Sequence, residues 1–269
     1  MLSVQVSHPL QPALPGTIDQ VVAALDGVVA DAIATQSRLG YFAALYNRVT
    51  MAVRDGIRAG SFEDPARMER LDVAFANRYI AAHERFRRGA ATPASWRLAF
   101  EAGTRLDLSV LQHLLLGINA HINLDLGVAC AEIAPGAAID DLEADFNRIN
   151  DLLAALLPEV ELQLIEISHL LGLAVDIADR FDDLDGRVGN FSMREARRSA
   201  WRFARLLAHL GGPLTRDVAI KARDQEIALL AFKLQEPGPF SVVFGGADWT
   251  SIAAHIRILA QGSSGIAGV

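Results

Sequence analysis

The residues best equipped for chemistry lie in one stretch, Leu106 to Gly127, LDLSVLQHLLLGINAHINLDLG, which is apolar, lacks Lys and Arg, and still carries two His, two Asn and two Asp. At about 100° per residue, His113, Gly117, His121 and Asp125 recur every four residues on one slowly drifting face of a helix, with Gln112, Asn119 and Asn123 on another side. Imidazole and carboxylate donors suit zinc, iron or manganese, and such an ion would activate a water for hydrolysis. His121 and Asp125 are one turn apart, whereas His113 lies two turns, about 12 Å, from His121 along the axis, so a straight helix cannot bring all three to one ion. Either a second helix supplies the remaining donors or two centres exist.

That second source is the segment ELQLIEISHLLGLAVDIAD, in which Glu166 and His169 have the three-residue spacing used in di-metal carboxylate bundles, here in a single copy. His121, Asp125, Glu166 and His169 would converge if the two helices ran antiparallel about 8–10 Å apart. The metal set is then His113, His121, Asp125 and His169, with about one divalent ion (zinc, iron or manganese) per chain. Glu166 serves as a ligand or as the general base on metal-bound water, and Asn119 and Asn123 orient the substrate. On this reading the chain is a metal-dependent, hydrolase-like enzyme acting on a small, partly apolar substrate inside a helical bundle. The alternative is a metal-free helical module that binds a hydrophobic small molecule, the His/Asn/Asp row being a hydrogen-bonded polar seam.

Other polar groups have simpler expectations. His83 sits among Arg85, Arg87 and Arg88 near a helix C-terminus, where cations complement the helix dipole. The basic row Arg194, Arg197, Arg198, Arg202 and Arg205 follows the acidic group Asp179, Asp182, Asp183 and Asp185, and mutual pairing is expected, with a phosphate or carboxylate ligand as the other option. The acidic turn does not fit an EF-hand, because aligning Gly186 with the loop glycine puts Phe181 at the first ligand position. No GxGxxG, P-loop or GxSxG string occurs.

Composition narrows the setting for these groups. The 269 residues are 51% hydrophobic but only 7% aromatic, so Ala, Leu, Val and Ile must fill the interior, as in close-packed helices. The expected fold is all-α, a single domain of about nine to ten helices around a buried central helix. A formal charge of −7 offers no basic footprint for nucleic acid. Cys130 is the single cysteine, which excludes an intrachain disulfide and fits a reducing, cytoplasmic setting. No targeting segment is evident, and His113, His121 and the two Asn interrupt the one apolar run that approaches the length of a membrane span. The expected partner is a small-molecule ligand, with a homodimer left open.

Taken in order, residues 1–16 read as an arm, 17–262 as the helical domain and 263–269 as a Gly/Ser tail. Helices are expected at about 18–35, 39–59 and 65–88, with Thr17 and Pro65 as start signals. Thr92-Pro93 starts a short helix, and Asp107 is the expected cap of the central one. Helices then run from 140 or 141 to 157, with a break or kink at Pro158, and from 159 to 181 alongside the central helix. Further helices are expected from the capping box Ser192–Glu195 to His209, over 215–234, and from Trp249 to Ala260 with Asp248 as cap.

The run His113-Leu-Leu-Leu-Gly117-Ile-Asn119-Ala-His121-Ile-Asn123-Leu-Asp125-Leu126 is flanked by Leu71-Asp72…Phe75-Ala-Asn77-Arg78-Tyr79 and by Phe191-Ser192…Arg197…Ala200-Trp201. Together these strings resemble DUF5995, a bacterial family of unknown function, over about residues 38–205. The central string is the specific part. The resemblance implies one all-helical domain and marks these polar positions without naming a reaction. A fainter likeness, to the helical zinc-dependent phospholipase C and nuclease group, rests only on His, Gly, His and Asp at four-residue steps.

Overall fold

Apolar residues recur every three to four positions along most of the sequence, and that period dictates helices with one buried face. The computed structural model describes residues 13–167, 193–236 and 251–261, and among the described residues every regular element is helical, as expected. Helix α1 (Ile18–Thr35) begins at Thr17, whose hydroxyl accepts from the Gln20 backbone, and α2 (Gly40–Arg58) returns against it. Helix α3 (Pro65–Arg87) is capped by Asp64, and the short α4 (Ala94–Glu101) follows Pro93.

The central helix spans Val110–Ile133 in three parts: α5 (Val110–Ala120), a π-helical turn over His121–Leu126, and α6 (Gly127–Ile133). It is long and apolar enough to cross a membrane, yet 83% of its most apolar window is buried within the fold, where it forms the core. Its cap is Ser109, not Asp107. The Ser109 hydroxyl accepts from the Gln112 backbone while the Gln112 side chain accepts from the Ser109 backbone, and Asp107 is drawn off into an ion pair with Arg105.

Around this core lie α7 (Ala138–Asp141), α8 (Glu143–Ile167), α9 (Met193–His209), α10 (Pro213–Leu234) and α11 (Ile252–Ala260). Helix α9 crosses the π turn and α6, α10 lies on α4 and α5, and α11 lies on α2. The first described residues of α11 place its cap at Ser251, whose hydroxyl accepts from Ala254 N; Asp248 and Trp249 are outside the described residues.

Helix α8 departs most from expectation. It runs through Pro158 without a break, because Pro158 and Ala154 are both solvent-exposed and water can meet the Ala154 carbonyl that loses its donor. Most of the segment expected alongside the central helix, 168–181, lies outside the described residues, and the described α8 does not lie along that helix. It rests on α2 and α11, fixed by polar clamps at each end. At one end buried Asp145 accepts from the backbone N–H groups of Glu63 and Asp64 and from Arg67. At the other, Arg48 donates to Gln163 and pairs with Glu159 at 2.7 Å, and Gln163 donates to the Gln261 carbonyl. Between the clamps, a cavity separates α8 from the central helix.

Two glycines permit the close crossings. A Cβ on Gly117 would lie 2.4 Å from Cγ of Phe42, and one on Gly127 would lie 2.9 Å from the Ala200 carbonyl oxygen of α9. Gly117→Ala should therefore destabilise the fold by about 1–3 kcal/mol through overpacking. Gly27→Ala, on exposed α1 surface with nothing within 4 Å of the new methyl, should be neutral or gain up to about 1 kcal/mol. Urea midpoints of the two variants check this, and equal effects would place Phe42 away from Gly117.

Candidate functional site

Asp125 organises the site. Only 1% exposed, it lies in the π turn, a widened helical turn of a kind common at functional positions. Its Oδ1 accepts from Arg78 Nε of α3 at 3.1 Å, and its Oδ2 accepts from Trp96 Nε1 of α4 at 2.8 Å. His121 Nδ1 stands 3.2 Å from the same Oδ2. Burial lowers the His121 pKa, against the opposing pull of Asp125 and with a small push in the same direction from Arg78, so the ring is neutral near pH 7. An acceptor on the Nδ1 side assigns the proton to Nδ1 and leaves a lone pair on Nε2. That Nε2 is buried and unpartnered.

Aromatic rings enclose this imidazole. Phe75 stacks on it at 3.6 Å between centroids, and Tyr46 meets it edge-on at 4.4 Å. Phe42, Trp96 and Tyr79 complete the surround at 5.7, 5.8 and 6.2 Å.

His121 also forms part of the wall of a cavity of about 570 Å³ between α2, α3, the central helix, α8 and the start of α9. The wall is overwhelmingly aliphatic and aromatic. Three of its side chains nevertheless hold a buried polar atom without a hydrogen-bond partner: Tyr46 Oη, Asp72 Oδ2 and His121 Nε2. Burial, reinforced by Glu69, pushes Asp72 up to about 7. Tyr46 is held well above its ordinary value, first by burial and then by the charge of Asp72, while the Thr50 hydroxyl, near it but outside hydrogen-bond geometry, acts the other way. At neutral pH these three wall residues carry a phenol donor, a carboxyl group near its midpoint and a bare imidazole nitrogen, each atom itself closed off from solvent.

The sequence-predicted residues are distributed differently from one shared site. His121 and Asp125 meet each other. His113 packs against Tyr41 at 5.7 Å beside a separate small void, and burial and nearby arginines lower its pKa to about 4. Asn119 Nδ2 donates to the Ile227 carbonyl of α10, and Asn123 Nδ2 donates to Asn119 Oδ1, so both amides serve the seam with α10 and neither lines the cavity. Glu166 is exposed and also absent from the cavity wall, while His169 and the acidic group Asp179–Asp185 lie outside the described residues. Among the described residues no three His, Cys, Asp or Glu side chains converge as a metal cage. Three members of the arginine row form ion pairs: Arg198 and Arg202 reach Glu195, and Arg205 reaches Asp140.

Sequence reasoning missed Tyr46 and Asp72. A signal was present in Asp72, Phe75 and Tyr79, which share one face of α3 and place a carboxyl group on an otherwise aromatic stripe.

The titration of Asp72 has a definite sign. Its folded pKa is raised, so the stability it contributes is fully present below the ordinary value of 3.8 and is lost as pH rises to about 7. His83 and His113, both lowered to about 4 by burial, act in the opposite sense and lose stability as pH falls from 6.5. Asp72→Asn should therefore gain on the wild type by roughly 1–2 kcal/mol as pH rises from about 5 to about 7. Urea denaturation across that range measures it, and a difference that stays flat with pH would refute the raised pKa.

Comparison with known proteins supplies a family. No curated protein and no solved structure matches the chain. Residues 18–237, beginning at α1 and ending just after α10, match the profile described as "Family of unknown function (DUF5995)". The matched span holds Tyr46, Asp72, Arg78, Trp96, His121 and Asp125 together, and the chain belongs to the DUF5995 family.

Proposed function

We propose that this chain binds a small, mostly apolar molecule in the cavity between the central helix and α8, and that Tyr46, Asp72 and His121 hydrogen-bond to a polar group on it. The observation that carries this reading is the coincidence of three buried, unpartnered polar atoms on one apolar wall. Each such atom costs about 1–3 kcal/mol when left unsatisfied, so their grouping calls for a shared partner. A volume of about 570 Å³ falls in the range of small-molecule sites, and an apolar lining with a few convergent polar groups is their usual composition. A hydroxyl or carbonyl suits the three: Tyr46 and protonated Asp72 donate, and His121 Nε2 accepts.

A second reading, hydrolysis by an activated water, draws on one observation. The His121 imidazole is backed by the Asp125 carboxylate and leaves Nε2 bare, the arrangement found both in general bases and in metal-bound histidines. In its metal-dependent form, His121 Nε2 is the donor atom for zinc, iron or manganese, and Asp125 orients the ring. Elemental analysis of tag-free protein separates the two readings: a stoichiometric divalent ion lost in His121→Ala favours the enzyme.

For the binding reading the probe is 1-decanol, a neutral apolar chain with one hydroxyl. It should raise the thermal midpoint of the wild type in a concentration-dependent way. Leu153→Trp, which fills the cavity from α8, should abolish the shift while leaving the unliganded midpoint within a few degrees. An equal shift in both proteins would place the alcohol elsewhere.

A further inference from the structure

The apolar cavity does not end in apolar residues. Phe146, Asn150, Arg194 and Arg197 line both it and a second, polar cleft of about 660 Å³, so these four side chains stand between the two spaces. The cleft also holds Arg148, Arg198 and Arg202, against the carboxylates of Glu143 and Asp151. In a chain of net charge −7 this is a locally basic mouth.

Three of its arginines are already engaged. Arg148 pairs with Glu63, and Arg198 and Arg202 pair with Glu195. Arg194 and Arg197 are different, for neither takes part in an ion pair among the described residues. Arg197 is only 3% exposed. Its guanidinium lies 4.3 Å from the centre of the Phe146 ring and donates to the Phe146 carbonyl and to Asn150 Oδ1, both neutral acceptors. A buried guanidinium without a counter-anion is costly, and burial indeed pulls its pKa down to about 10. Above it Arg194 is exposed at the opening.

The cavity is elongated along α8. Its wall takes side chains from Phe146 to Val160, which at about 1.5 Å per residue cover about 21 Å. Arg48 of α2 pairs with Glu159, and Leu152 is the α8 residue nearest Gly56, so α2 and α8 run antiparallel. Tyr46 therefore belongs to the Val160 end and Arg197 to the Phe146 end. Among the described residues the cavity has a phenol toward one end, an arginine without an ion pair at the other and hydrocarbon between them.

We infer that the occupant is an amphiphile: an extended alkyl or acyl chain whose anionic head, a carboxylate or a phosphate, is held by Arg194 and Arg197 at the mouth, and whose far end carries the hydroxyl or carbonyl that meets Tyr46, Asp72 and His121. This rests on the cavity-binding reading above and adds to it the charge and the orientation of the ligand. Guanidinium groups recognise both kinds of oxyanion by charge-assisted hydrogen bonds, and an apolar wall with a basic opening selects against both free phosphate and uncharged hydrocarbon.

Calorimetric titration of the full chain with decanoate, decyl phosphate and 1-decanol, each kept below its aggregation limit, tests this. At least one of the two anions should bind ten-fold or more tightly than decanol, and the tighter of them identifies the head group. That advantage should shrink with added salt and collapse toward unity in Arg197→Gln and in Arg194→Gln. Arg194 is exposed and has no ion pair among the described residues, so its variant carries the test even if loss of the Arg197 hydrogen bonds impairs folding. Anions that bind no better than decanol, or an advantage that survives Arg194→Gln, would overturn the inference while leaving the cavity reading intact. Failure of all three ligands to bind would overturn both.

Discussion

A carboxylate buried at 1% exposure inside an apolar helix is expensive, and the arrangement of neighbouring helices answers that one cost. Asp125 is met from α3 by Arg78, from α4 by Trp96 and from its own turn by His121. Arg78 supplies the opposite charge, Trp96 a neutral donor, and together they fix how α3 and α4 lie on the central helix. Removing Arg78 leaves Asp125 a buried, unmatched charge, and breaking a buried pair costs more than the pair contributes. The same interaction orients the His121 ring, which in turn seats Phe75 and Tyr46. Geometry at the cavity wall is thus inherited from an ion held two layers behind it.

The second constraint is the way α8 is held. Its ends are fixed by polar clamps, Asp145 at one and the Arg48, Glu159 and Gln163 group at the other, while its middle carries leucines that are half-buried or exposed. A helix fixed at both ends cannot collapse onto the core without breaking buried hydrogen bonds, so the space beneath it persists even though its lining is apolar. Pro158 is compatible with this role because the helix there faces water and packs little. Cavities in ordinary cores are destabilising in proportion to their volume, so a fold that props one open bears a cost that a bound ligand offsets.

Local chemistry was legible in the sequence, and long-range partnership was not. Thr17 and Pro65 marked helix starts because capping acts within a few residues. The polar row of the central helix was recognisable because its residue types conflict with its apolar surroundings. Its partners were not recognisable: Arg78 lies 47 residues and Trp96 29 residues from Asp125 in sequence, and nothing in the spacing of a single chain encodes that meeting. Asp72 escaped for a related reason, since one Asp in the middle of a charged helix reads as solvated until Phe75 and Tyr79 are known to face inward. Two local readings failed because a competing local interaction won. Asp107 was taken by Arg105, leaving Ser109 to cap, and Pro158 fell on the solvent side of α8.

Why the row His113, Gly117, His121 does not act as one polar stripe follows from its middle residue. Gly117 has no side chain because Phe42 occupies that place, with Cγ 2.4 Å from where a Cβ would stand. The same ring meets His121 edge-on at 5.7 Å and borders the small void that also touches His113. Phe42 therefore wedges between the two imidazoles and turns a four-residue repeat into two separate environments. On the near side His121 gains a carboxylate, an aromatic enclosure and the large cavity; on the far side His113 gains Tyr41 and positive neighbours in Arg38 and Arg105. Equal spacing on a helix brings side chains to one face, but what fills the gap between them decides whether they share a site.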